Sequence, residues 1–322
     1  MPAPTILLTR SEVEAVLEPA AVVPLLRAAF VDYSTNQGQR ARRVRWPLSR
    51  AGSATVLFPG TAPGVPAYTV KVHAKFPAQE PAIRGVLCLH STETGDLLAV
   101  MDSTHLTAVR TGLAGALAAH VLARPDADAV AVVGAGVQGA HQLRSLAMLR
   151  PLRRAVVFDT VPARASAFAR TMAPELGLSV ESAPSVATAV RDAGIVLAAT
   201  WARQPFILPG MLDRGAHVTT LGADEPGKAE VSAEVILGGL FVCDDRSLAV
   251  EMGALGGVGL GPDAVGAELG DVLGGGHPGR TSPAQVTVYG GVGLAFQDAV
   301  VAWSVYETAR MRGTGTEVNF LR

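Results

Sequence analysis

The sequence predicts an α/β protein in which a Rossmann-type, doubly wound parallel sheet is joined to a strand-rich α+β unit. Three observations carry that expectation. A glycine turn at Gly134, Gly136 and Gly139 stands between an apolar strand-like run at 129–133 and a helix opening through 140–149. Short apolar runs and helical stretches then alternate to about residue 243, the pattern of a parallel sheet. Several strand-like runs crowd into residues 54–102 before that alternation begins, which sets a first unit apart from the second.

In chain order, Thr9-Arg10-Ser11-Glu12 reads as a helix start, with Ser11 or Thr9 as cap and Val13, Val16 and Leu17 on one face. Pro19 interrupts it, and a second helix over 20–33 carries Val22, Leu25, Leu26 and Phe30 at helical spacing. The basic cluster that follows, Arg40 to Arg45, is by itself most simply a solvated face. Residues 54–58, 67–76 and 83–89 read as strands, 59–66 as loop, and Thr94-Gly95-Asp96 as a hairpin turn. From Thr104 an Ala- and Leu-rich helix runs towards Pro125 and leads into the glycine turn. Beyond it, strands are expected at 155–158, 178–181, 195–199, 217–221 and 240–243, with helices over 162–176 and 186–192. The glycine-rich stretch 253–279 lacks the flanking strand and helix of a phosphate loop and reads as loop and short helix. An amphipathic helix over 292–312 closes the chain and is expected to return onto the first unit.

Each glycine of the turn has a mechanical reason to be there. The first permits a tight turn, the second lets backbone approach a pyrophosphate, and the third lets helix pack closely on strand. Val137 and Gln138 open the helix, whose N-terminus would face phosphates with its N–H groups and positive dipole end. Asp159, twenty residues past Gly139, ends the next strand where a carboxylate would accept from an adenosine ribose. The motif therefore points to NAD. A carboxylate repels a 2′-phosphate, and Arg164 downstream leaves NADP as the lesser alternative. Thr200 and Gly222 follow later strands and are expected to face the same crevice.

The bulk numbers narrow the class. With 322 residues, 49% hydrophobic and 17% charged, the chain has ample length for a large core. A net charge of −1 removes the electrostatic case for nucleic acid or an acidic membrane surface as partner. Cys88 and Cys243 lie in apolar runs without a metal or redox spacing, so reduced core cysteines and a cytoplasmic location are expected. The N-terminus lacks the basic region of a signal peptide, and no apolar run reaches membrane-spanning length. His73, His90 and His105 show no metal-ligand spacing and read as packing or surface residues; no metal is expected.

Five segments together carry a family resemblance. YTVKVH with Lys71, the helix HLTAVRTGLAGALAAHVLA, the loop VVGAGVQGAHQ, the segment LGADEPGKAEV and the terminal GVGLAFQDAVVAW occur in an order that resembles the ornithine cyclodeaminase/mu-crystallin family over nearly the whole chain. The resemblance implies a homodimer whose residues 1–119 and 295–322 form a substrate-binding and dimerisation domain, with 120–294 as a Rossmann NAD-binding domain. It implies a small amino or imino acid as partner. It also implies roles by position: Arg43, or alternatively Arg45, and Arg110 on the substrate carboxylate, Lys71 as active-site lysine, Thr111 towards the cofactor phosphates, and Asp224 as catalytic aspartate. The preferred chemistry is cyclodeamination of L-ornithine to proline and ammonia. An alanine-type dehydrogenase or a cyclic-imine reductase is the close alternative, and a mu-crystallin-like binding protein the distant one.

Elementary chemistry agrees with these residue types. An amino acid needs its carboxylate held, and arginine offers a bidentate fork. Hydride leaves Cα only from a deprotonated nitrogen, so a nearby group must take a proton. Two guanidinium groups crowding Lys71 would favour its neutral amine and suit it to that task. Taken alone, Lys71 in an alternating strand would face outward, and Asp224 would sit in a turn. Gly290-Gly291 depart from the family's frequent Asp-Ser pair, which removes one hydroxyl from the expected site.

Overall fold

The computed structural model describes residues 4–35, 44–49, 54–76, 79 and 81–320. The chain divides into two compact units, residues 1–110 with 294–322, and residues 111–293. The division falls after Arg110, inside the long helix, where residue 119 was the expected limit.

The first unit is built on a seven-stranded sheet. Its strands are β1 (Thr5–Leu8), β2 (Val44–Pro47), β3 (Ala54–Thr61), β4 (Ala67–Lys75), β5 (Ile83–Ser91) and β6 (Leu97–Asp102), and the terminal strand Thr316–Val318 pairs with β1. From that terminal strand the order runs β1-β6-β5-β4-β3-β2, antiparallel except where β1 lies parallel to β6. Strand β3 continues to Thr61, so Pro59 and Gly60 belong to a strand where loop was expected. Gly60 is required there: a Cβ at this position would lie 2.6 Å from Ala295, at the start of the helix Ala295–Arg312. That helix packs on β3 and β4, and Phe296 meets Phe30 edge-on at 5.1 Å. β4 alternates strictly, with Thr69, Lys71 and His73 buried and Val72 exposed, so its polar residues lie on the inner face.

The second unit carries an eight-stranded, wholly parallel sheet. In chain order its strands are β7 (Ala129–Val133), β8 (Arg154–Phe158), β9 (Ser179–Ser182), β10 (Ile195–Ala198), β11 (His217–Thr220), β12 (Leu240–Cys243), β13 (Ala267–Glu268) and β14 (Thr287–Gly290). Their spatial order is β13-β12-β14-β11-β10-β7-β8-β9. The order reverses between β7 and β10, a topological switch point of the kind beyond whose carboxyl edge ligands bind. β14, not expected from the sequence, sits centrally between β11 and β12. The long helix Ser103–Leu122 supplies small side chains, Ala116 and Ala119, to the core beneath β7 and β8. Among the described residues, no helix is long and apolar enough to cross a membrane.

Candidate functional site

In the first unit, one strand and two helices bring three ionic groups together away from solvent. Lys71 is fully buried, and its Nζ donates to Asp298 Oδ2 at 2.5 Å and to Thr107 Oγ1 at 3.4 Å. Arg110 Nε donates to the other carboxylate oxygen at 3.0 Å, and Arg110 Nη1 to Gln297 Oε1 at 2.9 Å. Burial alone would raise the Asp298 carboxyl; Arg110 and Lys71 outweigh it and hold it below the usual carboxylate range. The Lys71 ammonium also lies 4.4 Å from the centre of the Phe58 ring. Lys71 thus faces inward, because a lysine can be buried where a carboxylate and a hydroxyl receive its donors.

Of the two guanidinium groups expected around Lys71, that of Arg110 shares the Asp298 carboxylate with the lysine. Arg43 lies outside the described residues. Arg45 is exposed on β2, and its register through Val56 to His73 places it on the sheet face that carries Lys71. His73 is buried, and its Nε2 lies 2.8 Å from Ser103 Oγ and 3.4 Å from Thr107 Oγ1. Burial, and then the Lys71 ammonium, hold His73 down to about 3, so it is neutral at ordinary pH.

Asp298 was missed by sequence reasoning although the terminal segment was singled out. The available signal was a Gln-Asp pair in the first turn of a helix flanked by apolar residues on both sides, which must be buried and therefore partnered.

In the second unit the glycine turn takes the geometry that its spacing asks for. Gly134 has φ +104°, and a Cβ there would lie 2.5 Å from the Ala199 carbonyl. A Cβ on Gly139 would fall 2.2 Å from the Gly134 carbonyl, whereas one on Gly136 would meet nothing within 4 Å. Gly136 caps the helix Val137–Leu149, and Val137 is exposed at its first turn. Gln138 Oε1 is buried and has no hydrogen-bond partner among the described residues. Asp159 accepts from Ala135 N at 3.0 Å and Val161 N at 2.9 Å, which ties the end of β8 to the turn; each oxygen can accept once more. Thr111 is half-buried and opens this unit's share of the long helix.

Thr200 and Gly222 are joined by a residue that sequence reasoning did not single out. Glu230, 1% exposed, accepts from Thr200 N, Thr200 Oγ1 and Thr220 Oγ1 at 2.6 to 2.7 Å, and from Gly222 N at 2.9 Å. Asp224 belongs to this unit and is not idle in its turn. Its Oδ1 accepts from Lys228 Nζ at 2.9 Å, Glu225 accepts from the same ammonium at 3.1 Å, and that ammonium sits 4.1 Å above the Trp201 ring. Burial would pull Lys228 down, but Asp224 and Glu225 raise it above its ordinary value.

A doubly wound sheet with a glycine turn at its switch point in the second unit, and a buried Lys-Asp-Arg cluster in the first, define a dinucleotide-fold protein with a separate polar site. The chain belongs to the ornithine cyclodeaminase/mu-crystallin family, whose model matches residues 4–313. Among solved structures it is similar to an archaeal alanine dehydrogenase dimer with bound NAD, at 28% identity and TM-score 0.92 over 98% of this chain and 99% of that one. It is similar to the Thermococcus litoralis Δ1-pyrroline-2-carboxylate reductase in complex with NADH and L-proline, at 28% identity and TM-score 0.92 over 98% and 100%. A lysine cyclodeaminase that recognises L-lysine, L-ornithine and L-2,4-diaminobutyric acid matches at 28% identity and TM-score 0.89 over 98% and 96%.

Proposed function

We propose that this protein is an NAD-dependent oxidoreductase acting at the Cα–N bond of a small amino or imino acid. The observation that carries this reading is the buried cluster in which Lys71 and Arg110 share the single carboxylate of Asp298. Two fixed cations at one point suit a substrate carboxylate, with Arg45 or Arg43 adding a further fork. Lys71, already polarised by Asp298 and Thr107, is the group that holds and moves the proton at the substrate nitrogen. Asp224, paired with Lys228, is read as the second proton-handling residue.

The second unit fits NAD. Gly136 leaves open space where a Cβ would stand, Val137 and Gln138 open a helix whose N–H groups suit phosphate, and the orphaned Gln138 Oε1 offers an acceptor. Asp159 suits the adenosine ribose, while Thr111, Gly134, Gly139, Thr200 and Gly222 complete the expected set. When bound, NAD supplies the hydride acceptor or donor.

Two solved relatives, an alanine dehydrogenase and a Δ1-pyrroline-2-carboxylate reductase, support net redox turnover as one reading. Cyclodeamination of L-ornithine is the second reading, favoured by the lysine cyclodeaminase match and by a carboxylate, Asp224, able to handle a second amine. The deciding assay follows NADH absorbance, ammonia and proline together with L-alanine and NAD, pyrroline-2-carboxylate and NADH, or L-ornithine and substoichiometric NAD. NADH change in the first two supports the dehydrogenase or reductase; ammonia and proline exceeding the NAD supplied support cyclodeamination. Silence in all three defeats both.

A second copy of the chain is read as the partner of the first unit's outer sheet face. Leu57, Val72 and Val86 lie side by side there across β3, β4 and β5, each more than a third exposed. An exposed apolar row of this kind is what a dimer contact buries, and the archaeal relative is a dimer.

A further inference from the structure

The buried carboxylate of Glu230 has no part in the chemistry described so far. Its four donors reach it from the segments after two neighbouring strands, Thr200 after β10, and Thr220 with Gly222 at and after β11. Its own backbone is fixed as well, because its carbonyl accepts from Phe206 N and Ile207 N, each at 3.0 Å. Gly222 is glycine because a Cβ would lie 2.3 Å from Glu230 Oε1. No cation pairs with Glu230 among the described residues, and Lys228, two residues away, is engaged by Asp224 and Glu225. Burial pushes the Glu230 carboxyl up, and these hydroxyls and amides, which favour its charged form, offset only part of that rise.

Its place in the sheet says what it can serve. Asp159 at the end of β8 marks one side of the switch point as the adenosine side, so the other end of an extended dinucleotide belongs beyond β10 and β11. That is the edge where Glu230 gathers Thr200 and Gly222. The oxidised nicotinamide ring carries a positive charge and the reduced ring carries none. A fixed carboxylate at low dielectric interacts differently with the two.

We propose that Glu230 tunes the cofactor electrostatically, its buried carboxylate favouring the cationic oxidised nicotinamide over the neutral reduced one. This rests on the reading of the second unit as an NAD site. The consequence is a bound cofactor that gives up hydride more readily than it accepts it, a bias towards imine reduction. A purely structural Glu230 would instead affect both redox forms alike, together with ADP-ribose, which lacks the ring.

Calorimetric titration of the wild type and Glu230→Gln with NAD+, NADH and ADP-ribose tests it. The expected result is that Glu230→Gln raises the Kd for NAD+ about tenfold more than the Kd for NADH, the scale of one charge contact in a partly dry site, with ADP-ribose unchanged. Equal shifts for NAD+ and NADH, or none, would overturn the proposal. If Glu230→Gln does not fold, the wild type still decides: NADH bound more than about tenfold tighter than NAD+ contradicts the proposal, and NAD+ bound as tightly as NADH or more tightly supports it. A wild type that binds neither NAD+ nor NADH overturns the oxidoreductase reading, and this inference with it.

Discussion

Lys71 Nζ and Asp298 Oδ2 stand 2.5 Å apart with both side chains out of solvent, although 227 residues separate them in the chain. The pair joins the middle of the first unit's sheet to the helix that closes it, and Arg110 completes it from a third element.

Asp298→Asn should therefore be the most damaging single change in the first unit. It removes the carboxylate charge that two buried cations share, a loss expected to cost about 3–5 kcal/mol. Urea unfolding of the variant and the wild type measures it; a midpoint within error of wild type would contradict the assigned role.

Gly136→Ala and Gly139→Ala should separate binding from folding. The first adds a methyl group where nothing lies within 4 Å, so stability should change by no more than about 0.5 kcal/mol while NAD affinity falls at least roughly tenfold. The second drives a methyl group to 2.2 Å from the Gly134 carbonyl and should lower both. Thermal melts beside NAD titrations read the contrast, and equal NAD affinity in Gly136→Ala would remove the phosphate role of this turn.

Stability should fall in mild acid for a reason that can be assigned. His73 and His217 are each held down to about 3, chiefly by burial, against an ordinary value of 6.5. The unfolded chain therefore binds protons that the folded chain does not between pH 6.5 and 3. Their contribution is intact above 6.5 and is lost as pH falls towards 3, at up to about 1.4 kcal/mol per pH unit for each histidine. His217→Gln should roughly halve that slope in unfolding free energy measured from pH 7 to 5. An unchanged slope would show that His217 does not titrate this way.

The outer sheet face should respond to charge. Val72→Glu with Val86→Glu places four carboxylates in a two-fold contact and should shift sedimentation to the monomer mass, leaving the fold intact. A wild type that sediments as a monomer would contradict the proposal that this face joins two copies of the chain.

What was legible in the sequence follows the range of the signals. The β7 strand, the turn from Gly134 to Gly139 and Asp159 at the end of β8 could be read because each is announced by residues within one short segment. β14 was not, since four residues that end in Gly290 show too little periodicity to declare a central strand. The inward orientation of Lys71 and the roles of Asp298 and Glu230 depend on partners supplied by other elements, which no local pattern reveals. The two buried acids show only as polar residues among apolar neighbours.

Hydride exchange at Cα is tested most directly by label transfer. L-alanine, L-proline and L-ornithine, each deuterated at Cα, are incubated separately with the protein and NAD, and the nicotinamide and products are analysed by mass spectrometry. Deuterium from at least one of them on the reduced nicotinamide, or returned to Cα of a cyclised product, is the predicted result. Deuterium lost to water without reaching the cofactor, or retained in all three unchanged amino acids, would contradict it.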